Sequence, residues 1–365
     1  MRAAALAALL ATIGIAVSAC GSQHHVARTT TSSEPSGPPV PGRFAPLDLA
    51  APSNRDVWII GIGACATGSC TAIVHSTDGG VHFTAVTAPP AHAGALDSIV
   101  FANERVGYVY DGHAFGGAAP LWQTSDGGAH WQRAPFDDLL ALGLGDGKAL
   151  AVTATCKNGR CRDVRLRTET YGTIAWSDAT IATGPVDPIV ALTAHDASLW
   201  ISLSETSGVH PNQMLLHSAN GTTFTTEQSP CVTGLGGELA ASSARVLWAV
   251  CPTGMLATAY RSIDAGATWT TLDVGREIAN SSRLAPMSET KAVLATGDQA
   301  QLLRTTDGGS TFDVVQPVTA GYWNHIVFAD ETHGYTLRTV GSGQAAPKLY
   351  ASGDGGASWH VAPIR

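Results

Sequence analysis

Short apolar runs recur along this chain, and Gly, Asp, Asn or Ser follows each of them within a few residues. Runs of this kind, of about four to eight residues and rich in Val, Ile, Leu, Trp and Tyr, are typical of β-strands bounded by tight turns. Seven of them are DVWIIG from Asp56, VGYVYDG from Val106, KALAVT from Lys148, SLWISL from Ser198, VLWAVC from Val246, KAVLATG from Lys291 and GYTLRT from Gly334. Further apolar runs precede some of these, as in SIVFAN from Ser98 and HIVFAD from His325. The pattern predicts an all-β protein built from repeated units.

An octapeptide repeats downstream of these runs. Its full copies are STDGGVHF from Ser76, TSDGGAHW from Thr124, SIDAGATW from Ser262, TTDGGSTF from Thr305 and SGDGGASW from Ser352. A shortened copy, SANGTTF, begins at Ser218, and a degraded one, TETYGTIAW, begins at Thr168. The third positions of the seven copies lie 43 to 50 residues apart. This period is typical of four-stranded propeller blades, so we predict a seven-bladed β-propeller of antiparallel four-stranded blades.

The octapeptide resembles the Asp-box, or BNR, repeat, S/T-x-D-x-G-x-T-W, over the whole of residues 43–365. The resemblance implies that each copy is a structural turn whose Asp accepts backbone N–H groups and whose final Trp or Phe packs between blades. The implied structural positions are Asp78, Asp126, Asn220, Asp264, Asp307 and Asp354. A calcium site at these aspartates is the alternative interpretation.

The first residues are expected to form a processing signal rather than part of the fold, and an ordinary secretory signal that contains a Cys is the alternative to a lipoprotein signal. Arg2 precedes an apolar run over residues 3–17, which is shorter than the roughly 20 residues that a membrane span needs. Val17-Ser18-Ala19-Cys20 resembles the bacterial lipobox, which implies cleavage before Cys20 and acylation of its thiol. Residues 1–19 are therefore expected to be a signal peptide. Residues 20–42, rich in Ser, Thr and Pro, are expected to be a lipidated disordered tether, and residues 43–365 the propeller.

Composition narrows the class of partner. The chain carries a net charge of −8 and has no basic stripe, which argues against nucleic acid. Its sequence points to no cofactor and no metal. A lipid anchor would hold it at a bacterial membrane on the extracytoplasmic side, and we expect a monomer.

Six cysteines remain after Cys20, and disulfides persist in exported proteins. The strand map suggests the pairs Cys65–Cys70 and Cys156–Cys161 across the loops between second and third strands. It also suggests Cys231–Cys251 between the start of a first strand and the end of a second. All three bridges would then lie on the face of the ring opposite the octapeptide turns. A zinc site made by the two C-x4-C pairs is the rival interpretation.

Candidate binding residues lie in AGYWNH, the loop that enters the first strand of the last blade. Tyr322, Trp323 and His325 could stack on a sugar or hold a peptide, unless one of the aromatics packs inside the ring. His113 and His210 are weaker candidates on the same face.

Asp-box propellers include sialidases, whose sites need three arginines, a Tyr–Glu pair and an acidic residue. Segments on the loop face carry Arg133, Arg276, Arg283, Glu277 and Asp137-Asp138, but none of them lies in a recognisable motif. The spacing of the repeats also resembles the non-enzymatic propellers of photosystem II assembly and stability factors. We therefore expect a membrane-anchored scaffold that binds a protein or glycan through its loop face. A sialidase-like glycoside hydrolase is the alternative.

Overall fold

The structure is a computed structural model that describes residues 37–365, except residue 67 and segments 113–119, 183, 206–211, 232–235, 298–300, 317–320 and 341–345. In this described part the chain forms β-strands and turns, with no helix that is long and apolar enough to cross a membrane. The expected signal peptide and the lipobox Cys20 lie outside the described residues, as do His113 and His210.

Seven antiparallel blades follow one another along the chain, and each has four strands, as the repeat predicted. Blade one contains β1 (Ala45–Ala50), β2 (Val57–Cys65), β3 (Gly68–Ser76) and β4 (Thr84–Val86). Blade two contains β5 (Ser98–Phe101), β6 (Gly107–Tyr110), β7 (Trp122–Thr124) and β8 (Gln132–Arg133). Blade three contains β9 (Leu139–Gly145), β10 (Lys148–Lys157), β11 (Arg160–Thr170) and β12 (Trp176–Ala182).

The remaining four blades repeat this order. Blade four contains β13 (Val186–His195), β14 (Ser198–Glu205), β15 (Asn212–Ser218) and β16 (Thr225–Gln228). Blade five contains β17 (Glu238–Ala241), β18 (Leu247–Pro252), β19 (Leu256–Ser262) and β20 (Thr270–Thr271), and β21 (Ile278–Ala279) pairs with β19 beside it. Blade six contains β22 (Arg283–Pro286), β23 (Ala292–Ala295), β24 (Leu302–Thr305) and β25 (Asp313–Gln316). Blade seven contains β26 (Tyr322–Phe328), β27 (Gly334–Thr339), β28 (Lys348–Ser352) and β29 (His360–Ala362).

The second strand of each blade is its most buried element, which explains why these strands read as continuous apolar runs. Residues 57–60 of β2 and 292–295 of β23 are all fully buried, because neighbouring blades cover both faces of these strands. The separate apolar clusters of the protein lie between successive blades. Burial on both faces removes the need for polar positions, so alternation is lost in these strands.

The ring closes without a strand exchanged between its ends among the described residues. All four strands of blade seven come from the C-terminal segment, and β1 of blade one contacts β26 and β27. Apolar side chains from both blades share one cluster that includes Leu49, Phe83 and Tyr335. The amide of Phe83 also donates to the carbonyl of Arg365 at 3.1 Å. Packing at this seam therefore takes the place of a shared strand.

The octapeptide turns connect the third and fourth strands, and five of them have the same hydrogen bonds. In each, the hydroxyl of the first Ser or Thr donates to the Asp two residues later at 2.8–2.9 Å. That hydroxyl also accepts the N–H of the Gly four residues later at 2.8–3.0 Å. The Asp accepts the backbone N–H four residues later and bonds the side chain of the same residue through its second oxygen. Both carboxylate oxygens are thus used within the turn.

Blade three builds its turn differently, because Thr170 of this degraded copy stands where the five full copies have Asp. The neighbouring Glu169 is 1% exposed and accepts the amide of Ile174 at 2.6 Å and the hydroxyl of Tyr108 at 2.8 Å. Burial and the adjacent Glu169 raise the pKa of Tyr108, so this hydroxyl remains a donor. A buried carboxylate on the preceding residue therefore stabilises the turn and joins it to blade two.

Two of the three expected disulfides are present, Cys156–Cys161 and Cys231–Cys251. Asn158 and Gly159 both have positive φ in the turn that joins β10 to β11, which places Cys156 directly opposite Cys161. Because this pair is oxidised, it is not available for the rival zinc site.

The expected Cys65–Cys70 bridge is absent, and both residues are free thiols. The hairpin of β2 and β3 pairs Cys65 with Gly68 and Gly63 with Cys70, so the two cysteines are diagonal rather than opposite neighbours. Diagonal neighbours have Cα atoms about 7–8 Å apart, whereas a disulfide usually needs Cα atoms within roughly 4.4–6.8 Å. The two thiols are still close enough to interact, and a hydrogen bond with Cys65 raises the pKa of the Cys70 thiol. Equal spacing in sequence therefore produced different pairing, because the register of the two hairpins differs.

Replacing Glu169 with Ala should lower the free energy of unfolding by about 2–4 kcal/mol, since the buried hydroxyl of Tyr108 and the partly buried amide of Ile174 lose their acceptor. Urea denaturation measures this. The exposed neighbour supplies the control, because Thr170→Ala should stay within about 0.5 kcal/mol of the wild type. A loss below about 1 kcal/mol for Glu169→Ala would show that the turn does not depend on the carboxylate.

Alkylation of the unfolded, unreduced protein should label Cys65 and Cys70, while Cys156–Cys161 and Cys231–Cys251 stay linked until a reductant is added. Peptide mapping by mass spectrometry checks both statements. Recovery of a Cys65–Cys70 linked peptide from protein that was protected against oxidation would contradict the observed register.

Candidate functional site

A cavity of about 490 Å³ opens at the centre of the ring, on the face where first strands begin and second strands end. This face, which we call the loop face, is opposite the octapeptide turns. First strands of blades two to six contribute to the walls, with Leu140, Leu142 and Leu192 among the apolar lining residues. The polar lining residues include Tyr110, Glu238, Asn280 and Arg283. Polar atoms supply most of the accessible surface of this cavity, although apolar side chains stand in its walls. Ligand sites are concave and place a small number of polar groups that fix the orientation of the ligand.

Glu238 and Arg283 begin the first strands of blades five and six, and this position brings them together at the cavity. The Glu238 carboxylate accepts the amide of Leu284 at 3.1 Å, which links the two blades. Burial raises the pKa of Glu238, and the positive charge of Arg283 opposes this shift. The cavity therefore presents a cation beside an acidic group.

Asp48 and His325 form a second charged pair, at the junction of blades seven, one and two. The pairing of β1 with β2 shifts register between Pro46 and Asp48. The pairing of β26 with β27 shifts between Asn324 and Ile326, so His325 has no partner residue on β27 and adopts a φ of 21°. Bulges of this kind redirect side chains, and here the ring nitrogen Nδ1 of His325 lies 2.8 Å from Asp48 Oδ1. The other oxygen of Asp48 accepts the amide of Ile99 at 3.0 Å.

The two charged pairs lie on consecutive blades and influence each other. Burial lowers the pKa of His325, but the charge and hydrogen bond of Asp48 raise it more, so its pKa lies above the usual value. Arg283 lowers and Glu238 raises the same pKa, which places all four groups in one electrostatic cluster. Burial, with Asp48 and Asp97 nearby, raises the pKa of Tyr110 as well.

The three residues proposed for the ligand face have different positions. Tyr322 begins β26 and is 42% exposed, and His325 belongs to the central cluster. Trp323 is 1% exposed, so the expectation that it is an exposed aromatic was wrong. Its ring packs against Tyr350 with centroids 5.0 Å apart, in the apolar cluster between blades six and seven. Strand alternation explains this, because neighbouring residues of β26 point to opposite faces.

The arginines considered for a sialidase site lie on separate elements. Arg133 is on the outer strand β8 and bonds Asp137 at 2.6 Å. Arg276 lies between β20 and β21 and bonds the side chain of Gln301. Arg283 alone of these three lines the central cavity.

Sequence reasoning missed Glu238 and Asp48. Each is a single acidic residue in a short, otherwise apolar first strand, and this feature was the available signal. To find Glu238 and Asp48 from the sequence, one must know that the first strands of all blades surround the centre of the ring. A single carboxylate on such a strand then faces neighbouring blades.

Comparisons with known proteins reveal the fold but no family. Neither any protein-family model nor any curated protein matches the chain. Solved structures do match it.

YCF48 bound to a D1 peptide is 18% identical with a TM-score of 0.53, and the match covers 83% of this chain and 93% of that one. YCF48 from Cyanidioschyzon merolae is 14% identical with a TM-score of 0.53, covering 86% and 97%. The β-propeller domain of the Trilobed protease from Pyrococcus furiosus, described as having an open velcro topology, is 9% identical with a TM-score of 0.60, covering 88% and 98%. At these identities the matches support the β-propeller fold alone.

The free energy of unfolding should fall as the pH rises from about 6.5, the ordinary His value, through the raised pKa of His325. In this window the folded protein keeps a proton at His325 that the unfolded chain releases, so folding is favoured less as the pH increases. Urea denaturation at several pH values measures the slope, which should be smaller in His325→Gln.

Other titrating groups can be distinguished from His325 by the pH range in which each changes the free energy of unfolding. Burial lowers the pKa of His75 and of His217, so their contributions have the opposite sign and act below about pH 6.5. The raised pKa of Glu238 gives the same sign as His325, but its effect begins at lower pH. An unchanged slope above pH 6.5 in His325→Gln would contradict the assignment.

Proposed function

We propose that this chain is a binding scaffold held at the extracytoplasmic face of a bacterial membrane, and that it captures a segment of a partner protein at the loop face. The observation that carries the proposal is the central cavity of about 490 Å³ with Glu238 and Arg283 in its wall. Its volume is within the range of about 300–1,000 Å³ that is usual for binding pockets.

The arrangement around the cavity supports binding to a preformed surface. First strands from five blades supply the lining residues, and hydrogen bonds between blades hold several of these strands in place. The Cys231–Cys251 disulfide lies beside the same wall, since the neighbouring Gly237 is a lining residue. A rigid site loses little conformational entropy when a flexible peptide binds.

A peptide is the ligand class that we favour over a glycan. YCF48, which shares this fold, has been seen with a D1 peptide bound. The cavity wall supplies one cation and one acidic group, together with Tyr110 and Asn280, which suits the mixed donors and acceptors of a polypeptide.

A sialidase-like hydrolase has less support. Such an enzyme clamps a carboxylate with several arginines, whereas Arg133 and Arg276 bond Asp137 and Gln301 on separate elements. We also infer that the chain belongs to the Asp-box propellers, because five turns share one hydrogen-bond pattern around Asp. Anchoring through acylated Cys20 rests on the lipobox-like sequence.

Capture of the partner should depend on Arg283. Full-length protein would be expressed in its host with an affinity tag, and cross-linked partners would be quantified by mass spectrometry. Arg283→Ala should reduce recovery of the specific partner at least about tenfold, equivalent to about 1.4 kcal/mol of binding free energy. Arg245→Ala, an exposed arginine between β17 and β18 on the opposite face, is the matched control and should leave recovery unchanged.

Cys20→Ser separates anchoring from binding. This variant should no longer be found in the membrane fraction. The purified variant should still bind the purified partner. Equal recovery of the partner by the wild type and by Arg283→Ala would rule out the loop-face proposal. Loss of partner binding in purified Cys20→Ser would rule it out as well, because binding would then depend on the tether.

A further inference from the structure

The free thiols of Cys65 and Cys70 lie on the same face of the hairpin that β2 and β3 form. Cys65 is directly opposite Gly68, and Gly63 is directly opposite Cys70. Residues directly opposite each other in an antiparallel pair share a face, and so do residues two apart on one strand. Since Cys65 is two residues beyond Gly63, both cysteine side chains point to one side of the hairpin.

Both thiols are accessible from solvent and close to each other. Cys65 is exposed, and Cys70 is partly exposed. A hydrogen bond joins the two side chains and raises the pKa of Cys70. The Sγ atom of Cys70 also lies 4.0 Å from the carbonyl oxygen of Gly63. The pair therefore lies at the open end of the hairpin, where an ion from solvent can reach it.

The rest of the hairpin fixes the gap between these thiols. Placing Cys65 directly opposite Cys70 would require β3 to move by two residues along β2. The two strands carry four fully buried side chains in two apolar clusters, namely Ile59, Ile60, Ile73 and Val74. A shift of β3 would remove its two members from those clusters. The burial of the strands thus holds the cysteines as diagonal neighbours.

This gap is too wide for a disulfide but suits an ion between the sulfurs. The two sulfurs of a disulfide are only about 2 Å apart. A bond from a thiolate to a metal such as zinc is about 2.3 Å long, so two thiolates in line with one ion hold their sulfurs about 4.6 Å apart. A metal ion therefore links diagonal cysteines without any change in strand register.

The number and type of ligands decide which ion fits. In the described part of the chain, no group of three or more His, Cys, Asp or Glu residues could hold a metal ion. A structural zinc ion needs four protein ligands, and calcium and magnesium need oxygen ligands. Soft thiolates select Cu(I), and this ion is stable with two thiolates in a line. A pair of thiols therefore favours Cu(I).

We propose that Cys65 and Cys70 form a binding site for one Cu(I) ion at the loop-face end of blade one. Each thiol releases its proton to solvent as its sulfur coordinates the ion, and the copper remains Cu(I). Neither cysteine lines the central cavity, so the site does not depend on the function proposed for that cavity.

The test uses the full-length Cys20→Ser chain, whose free thiols are Cys65 and Cys70. The protein is titrated with Cu(I) without oxygen, with a coloured Cu(I) chelator as competitor. Ascorbate is the reductant, because it keeps copper reduced and leaves disulfides intact. We expect one Cu(I) ion per chain, and X-ray absorption should show two sulfur ligands and no histidine nitrogen.

Removing either thiol should abolish tight binding. Loss of a residue that only supports a metal ligand costs roughly 10–100-fold in affinity, so Cys65→Ser and Cys70→Ser should each cost at least about a hundredfold. Both positions are accessible at the end of a hairpin, so the variants should fold, which circular dichroism checks.

A relocated thiol is the matched control. Ser69 is exposed and lies on the opposite face of the hairpin, since it is the neighbour of Cys70 along β3. The double variant Cys70→Ser, Ser69→Cys keeps the number of thiols but separates them by the hairpin. It should bind Cu(I) as weakly as Cys70→Ser alone.

Two further variants test other soft ligands. His92 is joined to Cys70 by an isolated β-bridge, and Met255 is 86% exposed. His92→Ala and Met255→Leu should leave the affinity unchanged. Dependence on either residue, undiminished binding by the relocated thiol, or no stoichiometric binding by protein whose two thiols are free would overturn the proposal. Recovery of a Cys65–Cys70 disulfide from cells lysed under alkylating conditions would overturn it as well.

Discussion

The rest of this structure depends on one short hydrogen bond, from a Ser or Thr hydroxyl to the Asp two residues later in the octapeptide turn. With that bond the turn closes on itself, and the carboxylate then accepts the N–H four residues further along. The next residue is the aromatic that packs toward the preceding blade, so the geometry of the turn also sets the spacing between blades. The same logic holds in blade three with different atoms, where the carboxylate of Glu169 holds the turn and bonds a tyrosine of blade two.

The centre of the ring is subject to a second constraint. First strands begin there beside neighbours from several blades, and a buried carboxylate in this position finds donors outside its own blade. Asp48 bonds the amide of Ile99 and the ring of His325, and Glu238 bonds the amide of Leu284 beside Arg283. These contacts between blades give the loop face its chemistry, because the groups that join the blades also line or border the cavity.

Repetition explains what the sequence predicted well. The seven second strands and the positions of the turns follow from apolar runs and a repeated octapeptide, since burial on both faces and turn chemistry impose the same residues in every blade. The errors concern features that do not repeat. The Cys65–Cys70 pairing depended on the register of one hairpin, which lacks the Asn-Gly turn found beside Cys156–Cys161. The central position of His325 depended on one bulge in β26, and the burial of Trp323 depended on the face of that strand on which it lies. No local pattern marks either feature.

Closure of the ring and binding at its centre are connected energetically. The ends of the chain are held together by packing at the seam of blades seven and one, and no shared strand adds to it among the described residues. The Asp48–His325 pair spans that seam and is coupled electrostatically to Arg283 in the neighbouring blade six and to Glu238 in blade five. A ligand that binds only the closed ring stabilises that ring. Once the ligand concentration exceeds the dissociation constant, the stabilisation grows with the logarithm of their ratio. Because the seam is the one junction between blades that lacks a chain connection, such a ligand would slow its opening most.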